Sequence, residues 1–135
     1  MTQKLKSPET FDLVTVLHRA LLAMIASDVR DLTARQYAVL LTCCTVPGLH
    51  TVRGLAGQLN VTKPVIVRAV DRLQALGLVE RKPDRRDRRS ILIAPTPLAK
   101  AFLRRLQDVL AETAAEAASA PVAAEPELAA EPEGA

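Results

Sequence analysis

The sequence predicts a mainly α fold carrying one small β-hairpin, with a helix at either end of the chain. Three observations predict it. Apolar residues recur at helical spacing in five separate stretches, each opened by a Ser or Thr: Ser7, Thr33, Thr51, Thr62 and Thr96. Two short runs rich in β-branched residues, 78–82 and 90–94, flank a single charged turn. Beyond residue 118 the chain falls into Ala, Pro and Glu, which closes the folded part.

Ser7 and Pro8 suit the cap and first position of a helix over residues 9–29. Val14, Leu17, Leu21, Met24 and Ile25 make one apolar stripe there. Leu13, Val16, Ala20 and Leu22 widen it past a single face. So broad a face asks for a second copy of the chain, or for burial by the rest of the protomer. Thr33 starts a helix to about Thr45, with Tyr37, Leu40, Leu41 and Cys44 inward, and Pro47-Gly48 ends it. Leu49-His50-Thr51 reads as one short strand. Thr51 then caps a helix to Asn60 that carries Leu55, Ala56 and Leu59.

Thr62 is the expected cap of the next helix, 63–76, with Pro64 in its first turn. Its inner face is Ile66, Ala69, Val70 and Leu73, and Gly77 stops it. Strands 78–82 and 90–94 follow, joined by the tip 83–89. Thr96 and Pro97 open the last helix, whose stripe is Leu98, Phe102, Leu106, Val109 and Leu110. From 119 to 135 the large hydrophobes are Val122 and Leu128, too few to repay ordering entropy, so a disordered acidic tail is expected.

Composition narrows the function. The 135 residues are 49% apolar but only 2% aromatic (Phe11, Tyr37, Phe102), so the core is aliphatic and no base-stacking platform is available. A net charge of +3 hides an asymmetry: residues 1–110 hold 18 bases and 9 acids, whereas 111–135 hold 6 acids and no base. Residues 51–105 alone carry 13 bases against 4 acids. Basic charge gathered in one segment suits a polyanion; a solvated basic surface is the plainer alternative. The six acids of the tail either compete for that basic face or serve as a solubilising linker.

The uncharged run 20–27 is too short to span a bilayer, so a cytoplasmic protein with no membrane partner is expected. Adjacent Cys43 and Cys44 suit neither an unstrained disulfide nor a zinc site. They read as two small helix residues in a reducing compartment, and less readily as a redox sensor, since no base adjoins them. His18 and His50 are isolated, and no nucleophile–base pair or phosphate loop is present. No catalytic residue, metal or cofactor is expected, and the chain is not read as an enzyme.

Two short helices split by Asn60-Val61 form a helix-turn-helix pattern, a weak signal by itself. The hairpin after it sharpens the reading. Its tip runs Pro83-Asp84-Arg85-Arg86-Asp87-Arg88-Arg89, and four arginines on one turn repel each other unless a polyanion is near. The fold is therefore expected to be a winged helix-turn-helix, 31–95, flanked by an N-terminal dimerisation helix, 1–30, and a C-terminal one, 96–118. Helix 63–76 would lie in a major groove and the wing in a minor groove. Its outward residues are Pro64, Arg68, Asp71 and Arg72, with Lys63 and Val65 beside them. Arg68 suits a guanine edge, Arg72 a base or phosphate, and Lys63 and the Thr62 hydroxyl a phosphate. A solvated helix face with Asp71 paired to a neighbour is the alternative.

Residues 32–40, Leu-Thr-Ala-Arg-Gln-Tyr-Ala-Val-Leu, resemble the second helix of the MarR family of bacterial transcription regulators. The helix-turn-helix through Leu59-Asn60-Val61-Thr62-Lys63-Pro64, Val70-Asp71-Arg72-Leu73, and the wing 84–90 with Thr96-Pro97 resemble it too. The resemblance implies a homodimer on a pseudo-palindromic double-stranded DNA operator, expected to act as a repressor. It implies that Arg88 or Arg89 enters a minor groove and that Asp87 braces a wing arginine. Dimerisation would fall to Leu13, Val14, Val16, Leu17, Leu21 and Met24 with Leu98, Phe102 and Leu106. The family's effectors, small phenolic or lipophilic molecules, bind between the dimer region and the winged domain; nothing specific in these residues marks such a pocket. Departures are Val65 and Val67 where the family often has small hydroxyl residues, Pro95 where a plain strand residue is usual, and one helix after the wing where two are common. A protein-interaction module with an acidic partner is the competing reading.

Overall fold

The computed structural model describes residues 7–27 and 30–119. Its elements are α1 (Ser7–Ala26), α2 (Ala34–Thr45), α3 (Val52–Leu59), α4 (Lys63–Ala75), β1 (Val79–Pro83), β2 (Ile91–Pro95) and α5 (Pro97–Ser119). The fold is mainly helical with one antiparallel hairpin, as the spacing of apolar residues predicts. The expected end of α1 at Val29 and the tail after Ser119 lie outside the described residues.

Three local expectations need correction. The strands begin one residue late, because the register pairs Val79 with Pro95 and Pro83 with Ile91. Residues 49–51 form no strand; Thr51 makes a single bridge to Leu92, and the Ile93 amide donates to the His50 carbonyl at 2.8 Å. Thr62 stands at the N-cap of α4, yet its side chain makes no capping bond. The reason is local. Pro64 at the second helical position has no N–H, and the Val65 amide donates instead to the Thr62 carbonyl at 3.1 Å.

The core is aliphatic. Leu40 of α2, Leu55 of α3, Ile66 and Leu73 of α4, and Leu78 before β1 are fully buried together. Each contributes roughly 1.5–3 kcal/mol by leaving water. Thr33 closes a capping box with Gln36, accepting its amide at 3.1 Å while its own amide donates to Gln36 Oε1 at 2.9 Å. His50 is buried, and its Nε2–H donates to the Val46 carbonyl at 2.8 Å, closing the loop between α2 and α3.

Helix α5 leaves the hairpin at a tight joint. The Thr96 hydroxyl donates to the Gly77 carbonyl at 2.6 Å and accepts the Ala99 amide at 3.2 Å. The Thr96 amide donates to the Leu78 carbonyl at 3.1 Å. Gly77 itself has φ +78°, a conformation open to glycine, and this ends α4 and turns the chain into β1. From the joint α5 runs back along α1, and the two pack side by side.

Candidate nucleic-acid interface

The turn between α3 and α4 is built by Asn60, whose φ of 56° places it in the left-handed region that asparagine tolerates. The Val61 amide then donates back to the Ala56 carbonyl at 3.0 Å. At the other end of α3, Thr51 accepts the Gly54 amide at 3.0 Å. This fixes α4 against α2 and α3 through its buried face of Ile66, Ala69, Val70 and Leu73.

The opposite face of α4 is free of the core. Lys63, Pro64, Val67, Arg68, Asp71 and Arg72 are exposed, and Val65 is half-buried at its edge. This is the face expected from the helical period. One feature of it was only partly legible. Asp71 Oδ1 takes Arg81 Nη2 at 2.7 Å, and Arg81 Nη1 also donates to Gln74 Oε1. Arg81 sits on β1, so one guanidinium ties the wing to two residues of α4. A paired Asp71 belongs to the alternative reading of this face as a solvated surface; the partner comes from the hairpin, and Arg68 and Arg72 take no part in the pair. Arg68 and Arg72 keep their side chains outward with no ion pair among the described residues.

The tip of the hairpin has its own architecture. Asp84 Oδ1 accepts the Arg86 amide at 2.9 Å, and Asp87 Oδ1 accepts the Arg89 amide at 3.0 Å. The Asp-Arg-Arg triplet of the sequence thus repeats as two successive turns, each closed by its aspartate onto the amide two residues on. Asp87 Oδ2 also accepts the Ser90 hydroxyl at 3.1 Å. Asp87 therefore braces Arg89 through the backbone. Neither acid makes an ion pair with a wing arginine among the described residues. Arg85, Arg86, Arg88 and Arg89 are all exposed around this tip. A composition count treats these acids as diluting the positive charge. The structure shows them shaping the turn that displays it.

The expected dimerisation residues separate into three sets by exposure. Leu13, Val14, Leu17, Leu21 and Leu98 are exposed, as are Leu22 and Ile25, with Ile25 reaching 77%. Val16, Met24 and Phe102 are half-buried. Leu106 is only 7% exposed, so it belongs to the protomer's own interior and not to an outward face. A helical stripe cannot distinguish these two kinds of burial.

Two cavities that the sequence did not announce share Arg30: one lies between α1, the loop 30–32 and α2, the other between Arg30, the joint from α4 to β1 and α5. One, of about 200 Å³, is lined by Leu21, Met24, Arg30 and Tyr37 among others. The second, of about 250 Å³, has walls from Arg30, Leu78, Leu98, Phe102 and Arg105. Tyr37 and Phe102 rings approach to 6.2 Å, and the Tyr37 hydroxyl donates to the Arg30 carbonyl at 3.2 Å. Burial, aided by Asp31, raises the Tyr37 phenol above its ordinary range.

Cys43 is buried and its thiol is pushed up to about 11 by burial, with Cys44 adding to the shift. Burial also raises Cys44, against a lowering influence from Lys100. Both are free thiols, and both stay protonated near neutrality. Among the described residues no cluster of His, Cys, Asp or Glu could hold a metal, and no helix is long and apolar enough to cross a membrane.

Comparison with known proteins places this geometry. A model of the MarR family matches residues 30–90, the segment that contains α2, the helix-turn-helix and most of the wing. No significant match was found among curated protein sequences. The solved structure of the transcriptional regulator Tm0710 from Thermotoga maritima superposes with a TM-score of 0.65 at 23% identity, over 82% of this chain and 74% of that one. YusO from Bacillus subtilis gives a TM-score of 0.65 at 20% identity, over 86% and 82%. CouR from Rhodococcus jostii, solved with p-coumaroyl-CoA bound, is 30% identical with a TM-score of 0.56, over 73% of this chain and 66% of that one. Residues 30–90 thus match the MarR family in sequence, and over most of its length the chain has the fold of solved transcriptional regulators.

Proposed function

We propose that this protein is a homodimeric, sequence-specific repressor that places α4 in the major groove of duplex DNA and the wing 83–89 in the adjoining minor groove. One observation carries the reading. Four exposed arginines surround a wing tip whose two aspartates are turned into its backbone, beside an α4 face that exposes Arg68 and Arg72. Arginine suits the narrow minor groove, where the potential is most negative, and a guanidinium bonds the guanine O6/N7 edge bidentately. Lys63 and the uncapped Thr62 hydroxyl flank the entering end of α4 and suit phosphate. The exposed apolar face of α1 supports a second copy, since a pair of two-fold-related domains reads a pseudo-palindrome. Repression follows if the operator overlaps a promoter.

The test is binding to random and genome-selected duplexes across a salt series. A steep loss of affinity with salt, together with tighter binding to the selected fragments, is expected. No binding to any duplex at low salt would instead favour an acidic protein partner for the same face.

The two cavities favour an effector-responsive form of this regulator. Arg30 lines both, and most of their other walls are apolar. The second, with Arg30 and Arg105 and no acid in its walls, suits a small aromatic or acyl carboxylate, in keeping with the acyl ligand in the CouR structure, whereas Asp31 lines the first. Adding p-coumarate should raise the melting temperature and weaken operator binding. No change in either at millimolar ligand counts against this reading. The high thiol pKa values of Cys43 and Cys44 count against a redox-responsive one.

A further inference from the structure

A concavity of about 210 Å³ lies where the start of α2 meets the exposed face of α4. Its walls are Thr33, Arg35, Gln36, Val65, Arg68 and Ala69. Two of these six residues are arginines and none is an acid. Like charges sharing one hollow repel each other, and an anion between or beside them removes that cost. Arg35 is exposed and has no ion pair among the described residues.

Arg35 is also badly placed for the helix that carries it. With Thr33 as cap it is the second residue of α2, where the helix macrodipole disfavours a cation. The first turn of α2 contains no acid to offset it. Thr33 and Gln36 are occupied with each other in the capping box, which leaves Arg35 as the cation that α2 contributes to the hollow. A cation set at the start of a helix, in a hollow it shares with a second arginine, is better explained by a ligand than by folding.

We propose that Arg35 is a further DNA contact: it holds a backbone phosphate at the edge of the groove that α4 enters, beside the base contact of Arg68. This extends the interface from the helix-turn-helix and wing to α2. It rests on the DNA-binding reading above, and it concerns affinity and positioning, since a phosphate carries no sequence information.

Arg35→Ala, Arg35→Lys, Arg68→Ala and Arg88→Ala are compared on selected and random duplexes across a salt series, each with its melting temperature. Arg35→Ala should melt no lower than the parent, because it removes a cation from a helix start. It should weaken selected and random duplexes by the same factor and lower the salt slope by about one. Arg35→Lys should restore most of the slope. A shift in sequence preference like that of Arg68→Ala would make Arg35 a base contact and overturn the proposal. So would unchanged affinity in Arg35→Ala while Arg88→Ala loses slope. Unchanged affinity in all of them would overturn the DNA reading itself.

Discussion

Arg81 on the first wing strand reaches back to Asp71 on α4, Nη2 to Oδ1 at 2.7 Å, and also holds Gln74. The pair is partly exposed, with side-chain accessibilities of 29% and 62%, so it adds only about 0.2–1 kcal/mol to stability. Its larger effect is on angle, because it joins the two elements that would enter neighbouring grooves. Asp71→Ala and Arg81→Ala should each leave the melting temperature nearly unchanged and weaken operator binding. The double variant should bind no worse than the weaker single one. Additive losses in this double-mutant cycle would show that the pair does not set the wing.

Arg68 and Arg88 should fail in different ways. Arg68→Ala is expected to relax sequence preference at one position in each half-site, at about 1–3 kcal/mol of discrimination. Arg88→Ala should weaken all duplexes and lower the salt slope by about one. Selection from a randomised operator library, repeated for each variant, reads the first effect; fluorescence anisotropy against salt reads the second.

Leu17 and Leu106 stand on one predicted apolar system but face different neighbours. Leu17 is 58% exposed in the protomer and Leu106 is 7% exposed. Leu17→Asp should shift sedimentation toward a single copy while leaving the circular dichroism spectrum intact. Leu106→Ala should cost roughly 2–5 kcal/mol of stability by opening a cavity. An unchanged sedimentation profile for Leu17→Asp would remove α1 from the proposed dimer.

Burial of the Cys43 thiol implies an alkaline limit. The folded protein holds its proton to about pH 11, against an ordinary value of 9.0. Between these values the unfolded chain has lost the proton and the folded one has not, so the unfolded state binds fewer protons and stability falls as pH rises. The contribution present below pH 9 is at most roughly 2–3 kcal/mol. Denaturant unfolding at pH 8 and pH 10.5 should show a smaller loss in Cys43→Ala than in the parent. Equal losses would assign the alkaline limit to other groups.

The helices were legible because each starts with a hydroxyl residue and repeats its apolar positions at helical spacing. Asn60 and Gly77 marked the turns that the structure places at φ 56° and +78°. The outward face of α4 followed from the same period. Other features required distance. The Asp71–Arg81 pair spans two elements, and nothing in either local pattern announces it. The uncapped Thr62 was concealed by the capping pattern, since the Val65 amide that a cap would use is present but goes to the Thr62 carbonyl. The work of Asp84 and Asp87 was also available in the repeated Asp-Arg-Arg triplet, and a charge count hid it. Whether a leucine on α1 or α5 meets its own chain or another depends on the packing of whole helices, which a stripe does not encode.

The joint at Thr96 has a consequence for the DNA itself. Two hydrogen bonds from Thr96 tie the start of α5 to the residues that end α4 and open β1. In a two-fold assembly held through α1 and α5, this makes the separation of the two α4 helices a property of the protein, like the fixed jaws of a calliper. Each added base pair moves one half-site by about 3.4 Å along the duplex and turns it about a tenth of a helical revolution. A jointed protein would follow such a change; a calliper would not. Operators differing by a single base pair in their central spacer should therefore be told apart even when both half-sites are perfect.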